Sequence, residues 1–292
     1  MTSPAQRYAQ AQARSQQNRA TKGLDEFSRN YDFPLDEFQL QATAALGEGR
    51  SVLVAAPTGA GKTVVGEYAA FRALAEGKKC FYTTPIKALS NQKYHDLVKR
   101  HGSAEVGLLT GDNSINGDAP IVVMTTEVLR NMLYSGSTTI ADLGYVVMDE
   151  VHYLADRFRG GVWEEVIIQL PQSISVVALS ATVSNAEEFG EWIRTVRGDT
   201  TVVVDEIRPV PLWQQVMVGT RLYDLFVDDD QTVINPHLVR LAREADRGRD
   251  DRPHHHHRRH GADKNAPWRS DIVNTLEHAS LLPGITFIFS RA

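Results

Sequence analysis

The sequence predicts an α/β protein in three layers, a parallel sheet with helices on both faces. Three observations point there. Short apolar runs recur along the chain, separated by stretches with helical spacing. One of them, Ser51-Val-Leu-Val-Ala-Ala-Pro-Thr-Gly-Ala-Gly-Lys-Thr63, passes straight into a glycine-rich turn and the opening of a helix. Another, Gly144-Tyr-Val-Val-Met-Asp-Glu-Val-His152, has no polar break from Tyr145 to Met148 and then meets two acids, as expected of a strand covered on both faces.

The elements follow in order. Residues 1–24 are expected to form a flexible basic tail. Met1 to Gly23 carries Arg7, Arg14, Arg19 and Lys22, no acid, and many Ala and Gln. A frayed helix or disordered leader fits that composition, and an auxiliary contact with nucleic acid is the alternative. Residues 25–207 are expected to form one domain. Asp36 to Leu46 has helical spacing, with Gly47 placed to end it. Strands are predicted at Val52–Ala55, Cys80–Tyr82, Val106–Leu109, Ile121–Met124, Tyr145–Met148, Val176–Leu179 and Val202–Val204. Helices are predicted between many of them, at Val64–Ala75, Ala88–Lys99, Glu127–Leu133 and Ala186–Val196. Such alternation makes consecutive strands parallel through right-handed crossovers. Trp163 lies in a helical stretch and reads as core.

After Val204 the character changes. Arg208-Pro-Val-Pro-Leu-Trp213 is expected to be extended, because proline disfavours helix on both sides. Residues 208–267 read as a linker. Within it, Asp228 to Lys264 is charge-rich and is expected to be a flexible insertion, with Asp228-Asp-Asp230 and Pro253-His-His-His-His-Arg-Arg-His260. The histidines lack the mixed Cys/His spacing of a structural zinc site and imply adventitious metal binding only. Residues 268–292 hold a helical stretch and then the apolar run Ile285 to Phe289, expected as a strand.

Composition sets the class. The chain has 292 residues, 42% hydrophobic and 23% charged, ordinary for a soluble globular protein. No apolar run approaches the ~20 residues needed to span a bilayer, and the N-terminus lacks a signal-peptide core. A cytoplasmic protein without membrane partners is expected. Cys80 is the single cysteine, so no internal disulfide can form, and its apolar run makes it buried filler. A net charge of −5 argues against tight nucleic-acid binding by charge alone. It leaves room for a strand held by backbone N–H groups, hydroxyls and a few local cations.

The chemistry begins at the glycine-rich turn. Gly59 and Gly61 allow successive N–H groups to face one point, and the following helix adds its positive dipole end. Pro57, Thr58, Gly59, Ala60, Gly61, Lys62 and Thr63 are therefore expected to cradle a nucleoside triphosphate. Lys62 would reach the β- and γ-phosphates and Thr63 would ligate Mg²⁺. Ala56 stands where the strict pattern has its first glycine. Ligands in open α/β sheets bind at the carboxyl ends of strands, so Asp149 should emerge beside this loop and hold Mg²⁺. Glu150 is placed to polarise the attacking water.

These residues carry a resemblance. Asp149-Glu-Val-His152 resembles the Asp-Glu-x-His box of superfamily 2 helicases. Further blocks fall in the order such enzymes use: Phe33-Pro-Leu-Asp-Glu-Phe-Gln39, Thr84-Pro-Ile-Lys-Ala-Leu-Ser-Asn-Gln-Lys93, Thr110-Gly-Asp112, Met124-Thr-Thr-Glu127 and Ser180-Ala-Thr182. Their spelling, with Gly160-Gly-Val-Trp-Glu-Glu165, is similar to the superkiller-like branch of exosome-associated RNA helicases and bacterial relatives. The likeness spans about residues 30 to 215. It implies a RecA-like ATP-binding domain, with residues 268–292 opening a second RecA-like domain whose remainder is missing.

The resemblance also implies roles. Gln39 would recognise adenine with Phe33 as a stacking surface, although Phe33 and Phe38 could equally staple the first helix to the core. Thr84, Pro85, Lys87, Thr110, Gly111, Thr125 and Thr126 would hold a single strand, RNA by family spelling, through phosphates and 2′-OH groups. His152, Ser180 and Thr182 would couple hydrolysis to movement, a structural role for His152 remaining open. The implied function is an ATP-dependent helicase using ATP and Mg²⁺. The competing readings are a DNA repair helicase on the same scaffold, a different P-loop enzyme such as a small-molecule kinase, and a nucleotide-gated clamp that does not unwind.

Overall fold

The structure, a computed structural model, describes residues 23–155, 160–181, 186–250 and 267–287. The chain divides into two compact units, one ending at Val210 and one beginning at Pro211. In the first unit an eight-stranded sheet runs β4-β3-β5-β2-β6-β7-β1-β8. Its strands are β1 (Ser51–Ala55), β2 (Lys79–Thr84), β3 (Val106–Leu109), β4 (Ser114–Ile115), β5 (Ile121–Thr125), β6 (Leu143–Met148), β7 (Ser175–Ser180) and β8 (Thr200–Val204). Every pairing is parallel except that of β3 with β4. That two-residue edge strand had no apolar run to announce it.

The core lies on both faces, and period-two alternation assigns each side chain to its face. On one face Val52, Val54, Cys80, Tyr82, Ile121, Val123, Tyr145, Val147, Val177 and Leu179 pack under helices α1 (Glu37–Gly47), α2 (Thr63–Glu76) and α3 (Lys87–His101). On the other, Leu53, Phe81, Val122, Met124, Val146, Met148, Val176 and Ala178 pack under α4 (Thr126–Tyr134), α5 (Gly160–Gln169) and α6 (Ala186–Arg197). Trp163 is fully buried there, as expected. Each burial of a Val, Leu or Phe contributes about 1.5–3 kcal/mol against backbone entropy.

Topology explains the two groups of helices. From β1 to β2 to β3 the chain steps across the sheet in one direction; from β5 to β6 to β7 to β8 it steps back, the β6–β7 move being between neighbours. Right-handed crossovers running in opposite directions place their helices on opposite faces. The loops after β1 and β2 thus turn to one face and those after β6 and β7 to the other. A crevice opens at the carboxyl edge where this happens.

The second unit holds an antiparallel hairpin of β9 (Gln215–Val218) and β10 (Arg221–Asp224), then α7 (Pro236–Asp250) and α8 (Arg269–His278). The segment before the hairpin, 205–214, has no helix or strand, matching the extended Arg208–Trp213. Of the expected insertion Asp228 to Lys264, residues 228–250 are described. Asp228 accepts the N–H groups of Thr232 and Val233, Asn235 accepts the N–H of His237, and α7 follows. The start of α7 carries an apolar stripe at Leu238, Val239 and Leu241. Gly284 to Phe287 forms no strand, and Ile288 and Phe289 lie outside the described residues. So do the basic tail to Lys22 and the histidine run. Among the described residues no helix is long and apolar enough to cross a membrane.

Candidate functional site

All seven long strands point the same way, so their carboxyl ends share one edge. In spatial order that edge presents Thr110 and Gly111 after β3, Thr125 and Thr126 at β5, Thr84 to Lys87 after β2, Asp149 and Glu150 after β6, Ser180 at β7, and Pro57 to Thr63 after β1. The residues read as strand-holding occupy one half and those read as nucleotide-binding the other. Thr182 lies outside the described residues.

Thr58, Gly59, Gly61, Lys62, Thr63, Asp149 and Glu150 line one cavity of about 320 Å³ together with Thr84, Leu89, Gln92 and Lys93. Gly59 and Gly61 have φ of +89° and +84°, a region that L side chains rarely adopt. At Gly61 a Cβ would also come within 2.7 Å of Gln39 Nε2. Lys62 folds over its own loop, donating to the carbonyls of Ala56 (2.7 Å) and Pro57 (3.0 Å). Burial lowers its pKa, opposed by the carboxylates of Glu150 and Asp149. A larger cavity in the second unit, about 670 Å³ and lined by Trp213, Asp224, Asp228 and Gln231 among others, offers neither lysine nor glycine loop.

Asp149 is fixed from two sides. Its Oδ1 accepts the Glu150 N–H and its Oδ2 accepts the Tyr82 hydroxyl, each at 3.0 Å. Glu150 stands in the left-handed region at φ +56°, a sparsely populated conformation for a side-chain-bearing residue. Its Oε2 lies 3.3 Å from His152 Nδ1, and the Ala181 N–H lies 3.3 Å from the same nitrogen. One nitrogen cannot accept the amide and donate to the carboxylate at once. With the amide bond made, Glu150 Oε2 has no donor among the described residues, and neither partner nor solvent reaches buried Ser180 Oγ among them. One carboxylate acceptor and one hydroxyl are thereby left without a hydrogen-bond partner among the described residues. Ser180 also closes a chain of contacts: its carbonyl accepts the Ala56 N–H at 3.1 Å, next to the Ala181–His152 bond. The phosphate loop and the acidic box are tied through β7.

Gln39 and Phe33 lie on either side of the start of α1. Gln39 is buried and fully engaged: Oε1 accepts the Asp36 N–H at 3.0 Å and Nε2 donates to the Gly61 carbonyl at 3.1 Å. It braces the phosphate loop. Phe33 is 54% exposed, edge-on to Tyr31, while Phe38 is buried, so only Phe38 fastens α1 to the core.

On the other half of the edge, several hydroxyls are already used. Thr84 Oγ1 pairs with Ser90 Oγ at 2.7 Å, and buried Thr126 donates to the Thr84 carbonyl at 3.4 Å. Thr110 Oγ1 accepts the Asn113 N–H. Pro85 and Thr125 are buried. Lys87 and Gly111 are exposed, and Lys87 pairs with Asp112. Lys87 and Gly111 are thus the exposed members of this group, with the hydroxyls of Thr84, Thr110 and Thr126 holding the turns beside them.

Sequence reasoning passed over Tyr82 and Lys93. Tyr82 was one residue of an apolar run, and only the register of β2 beside β6 reveals that its hydroxyl meets Asp149. Lys93 Nζ lies 3.4 Å from Thr63 Oγ1 and 5.3 Å from the centre of the Tyr82 ring. The six-residue spacing from Lys87 places it more than one and a half turns along α3.

The donors suit magnesium. The Thr63 hydroxyl and Asp149 carboxylate, both hard oxygen donors, line one cavity with the phosphate cradle. Among the described residues no cluster of three or more His, Cys, Asp or Glu could hold a metal by itself, which fits an ion completed by phosphate and water.

The comparisons agree with this geometry. The probable helicase HelY of Mycobacterium tuberculosis is 60% identical over 281 residues, taking in 92% of this chain and 31% of that protein. The chloroplastic DExH-box ATP-dependent RNA helicase DExH15 of Arabidopsis thaliana is 40% identical over 305 residues, 92% of this chain and 26% of that one. The chain thus spans less than a third of the length of these curated relatives. Among solved structures, helicase Lhr of Mycobacterium smegmatis bound to single-stranded DNA and AMP-PNP superposes with a TM-score of 0.52 and 29% identity, over 64% of this chain and 28% of that one. The profile described as DEAD/DEAH box helicase matches residues 36–189, just over half of the sequence, and the chain belongs to that family.

Proposed function

We propose that this chain is the ATP-binding portion of an ATP-dependent helicase that moves along single-stranded RNA. One observation carries the reading: Lys62, Thr63, Asp149 and Glu150 line the same cavity as the two left-handed glycines of the phosphate loop. Loop N–H groups and Lys62 would bind the phosphates, Lys62 exchanging the Ala56 and Pro57 carbonyls for them. Thr63 and Asp149 would hold Mg²⁺, which when bound neutralises phosphate charge. Glu150, with a free buried oxygen, would orient the attacking water. Phe33 would stack on the base. Gln39 would report base occupancy to the loop that it braces. His152, Ser180 and Thr182 would relay the state of the site along β7.

Lys87 and Gly111 would contact the strand, with Thr84, Pro85, Thr110, Thr125 and Thr126 shaping that surface. A second RecA-like domain of the same protein would close over the edge and supply the missing charge stabilisation. The domain limits that we infer are 25–207 for the first RecA-like domain and 268–292 for the opening of the second, with a linker between. The preference for RNA rests on the spelling of the motifs and on relatives named as RNA helicases. DNA is the second reading, because the similar Lhr structure holds single-stranded DNA.

The deciding measurement is ATP hydrolysis by a protein carrying this chain with a second RecA-like domain. Single-stranded RNA, single-stranded DNA and no nucleic acid are compared, with Glu150→Gln as control. Stimulation by RNA that Glu150→Gln abolishes is expected. Stimulation by DNA alone would move the assignment to the second reading, and turnover indifferent to both would sink the helicase assignment.

A further inference from the structure

Lys93 has no place in the phosphate cradle, yet it touches both sides of the metal site. Its ammonium is 3.4 Å from the hydroxyl of Thr63, one proposed magnesium ligand. It also lies over the ring of Tyr82, whose hydroxyl holds Asp149, the other. It lines the cavity and is half-buried. No carboxylate among the described residues lies within ion-pair distance of it. Lys62 is engaged with the Ala56 and Pro57 carbonyls, and Lys93 with the Thr63 hydroxyl that magnesium would use. Two lysines and two carboxylates, Asp149 and Glu150, line the cavity, so its lining is balanced in formal charge.

We propose that Lys93 is a positioning residue that stands in for magnesium in the metal-free site and competes with it. Its positive charge and its claim on the Thr63 hydroxyl both oppose a divalent cation beside Thr63 and Asp149. The same charge offsets the polyphosphate when no metal is present. The contact also has a mechanical consequence. Lys93 belongs to α3, and Lys87 at the start of that helix lies at the strand-facing surface. Displacing Lys93 from Thr63 therefore bears on a rigid element that reaches both halves of the carboxyl edge. The proposal rests on the nucleotide-binding reading of the site.

The test is binding of a fluorescent ADP to the unaltered chain, Lys93→Met and Lys93→Arg, titrated with magnesium and repeated in chelator. Lys93→Met is expected to lower the half-saturating magnesium concentration by about three- to tenfold and to weaken metal-free binding by a similar factor. Lys93→Arg, which keeps the charge, is expected to stay near the unaltered chain in metal-free binding. Melting temperatures within a degree or two of each other confirm an intact fold. Equal weakening with and without magnesium, or no change in either, overturns the proposal. Absence of ADP binding by the unaltered chain overturns the nucleotide reading itself, and this inference with it.

Discussion

Tyr82 donates its hydroxyl to Asp149 across 3.0 Å, from one parallel strand to the end of its neighbour. The ring is fully buried between the sheet and α2, so the hydroxyl has almost no freedom. Burial and the adjacent Asp149 carboxylate push the phenol well above its ordinary pKa, which keeps it a donor throughout the working range. The carboxylate expected to meet magnesium is thereby aimed by a residue of the core.

Removing that hydroxyl should separate aim from fold. Tyr82→Phe keeps the ring and loses one hydrogen bond, costing about 0.5–1.5 kcal/mol of stability. Asp149 retains the Glu150 N–H and its route to solvent, so no buried charge is stranded. Magnesium-dependent nucleotide affinity should fall by about two- to fivefold, because Asp149 must be re-ordered on binding. Titration calorimetry beside a thermal melt measures both. An unchanged magnesium dependence would mean that Asp149 is held well enough without Tyr82.

The brace at Gln39 allows a sharper substitution. Gln39→Glu can still accept the Asp36 N–H but cannot donate to the Gly61 carbonyl, and it sets a negative oxygen against that carbonyl. Stability should drop by about 1–3 kcal/mol, since a buried acceptor loses its donor. Nucleotide affinity should drop with it, as the loop loses its support. Normal affinity in a destabilised Gln39→Glu chain would show that the loop keeps its shape without α1.

The titration of Lys62 has a definite sign. Burial holds its pKa below the ordinary value of 10.5. Phosphate beside it would raise that pKa, so binding in the window between the two values takes up a proton. Affinity should therefore fall as pH rises through the window and be flat below it. For stability, the unfolded chain binds more protons over that alkaline range, so this group's contribution rises with pH. Calorimetry across that window in buffers of different ionisation enthalpy reads the proton directly, and a heat independent of buffer throughout would argue against phosphate reaching Lys62.

How much could be read beforehand divides along physical lines. Strands β1, β5 and β6 were legible because buried parallel strands are uninterrupted apolar runs, and Gly59, Gly61, Lys62 and Thr63 because backbone curvature dictates their order. The edge strand at Ser114–Ile115 was not, since its exposed polar residue carries no such signal. Neither were the partners of Gln39 and Tyr82, which depend on packing between elements distant in sequence. The hydroxyls of Thr84 and Thr126 have the right chemistry for a phosphate, and only the fold shows them engaged with Ser90 and with a carbonyl. Charge within 228–250 could not tell a flexible segment from a solvated helix such as α7, because both require it.

Cys80 offers an independent check on the sheet that aligns the whole edge. It is the single cysteine, the second residue of β2, with zero exposure, and burial lifts its thiol to about 12. At pH 8 the native protein would then carry about one thiolate in ten thousand, against roughly a tenth or more for an ordinary exposed cysteine. Access is blocked as well, because the side chain lies among Tyr82, Leu97 and Val106 on the face covered by α3. Reaction with a chromogenic disulfide should therefore be at least about a thousandfold slower in buffer than in denaturant. Its rate should follow opening of β2 and its helix, so a nucleotide that stabilises the phosphate loop should slow it further. Rapid labelling of the native chain would mean that β2 is not the closed central strand from which Tyr82 reaches Asp149.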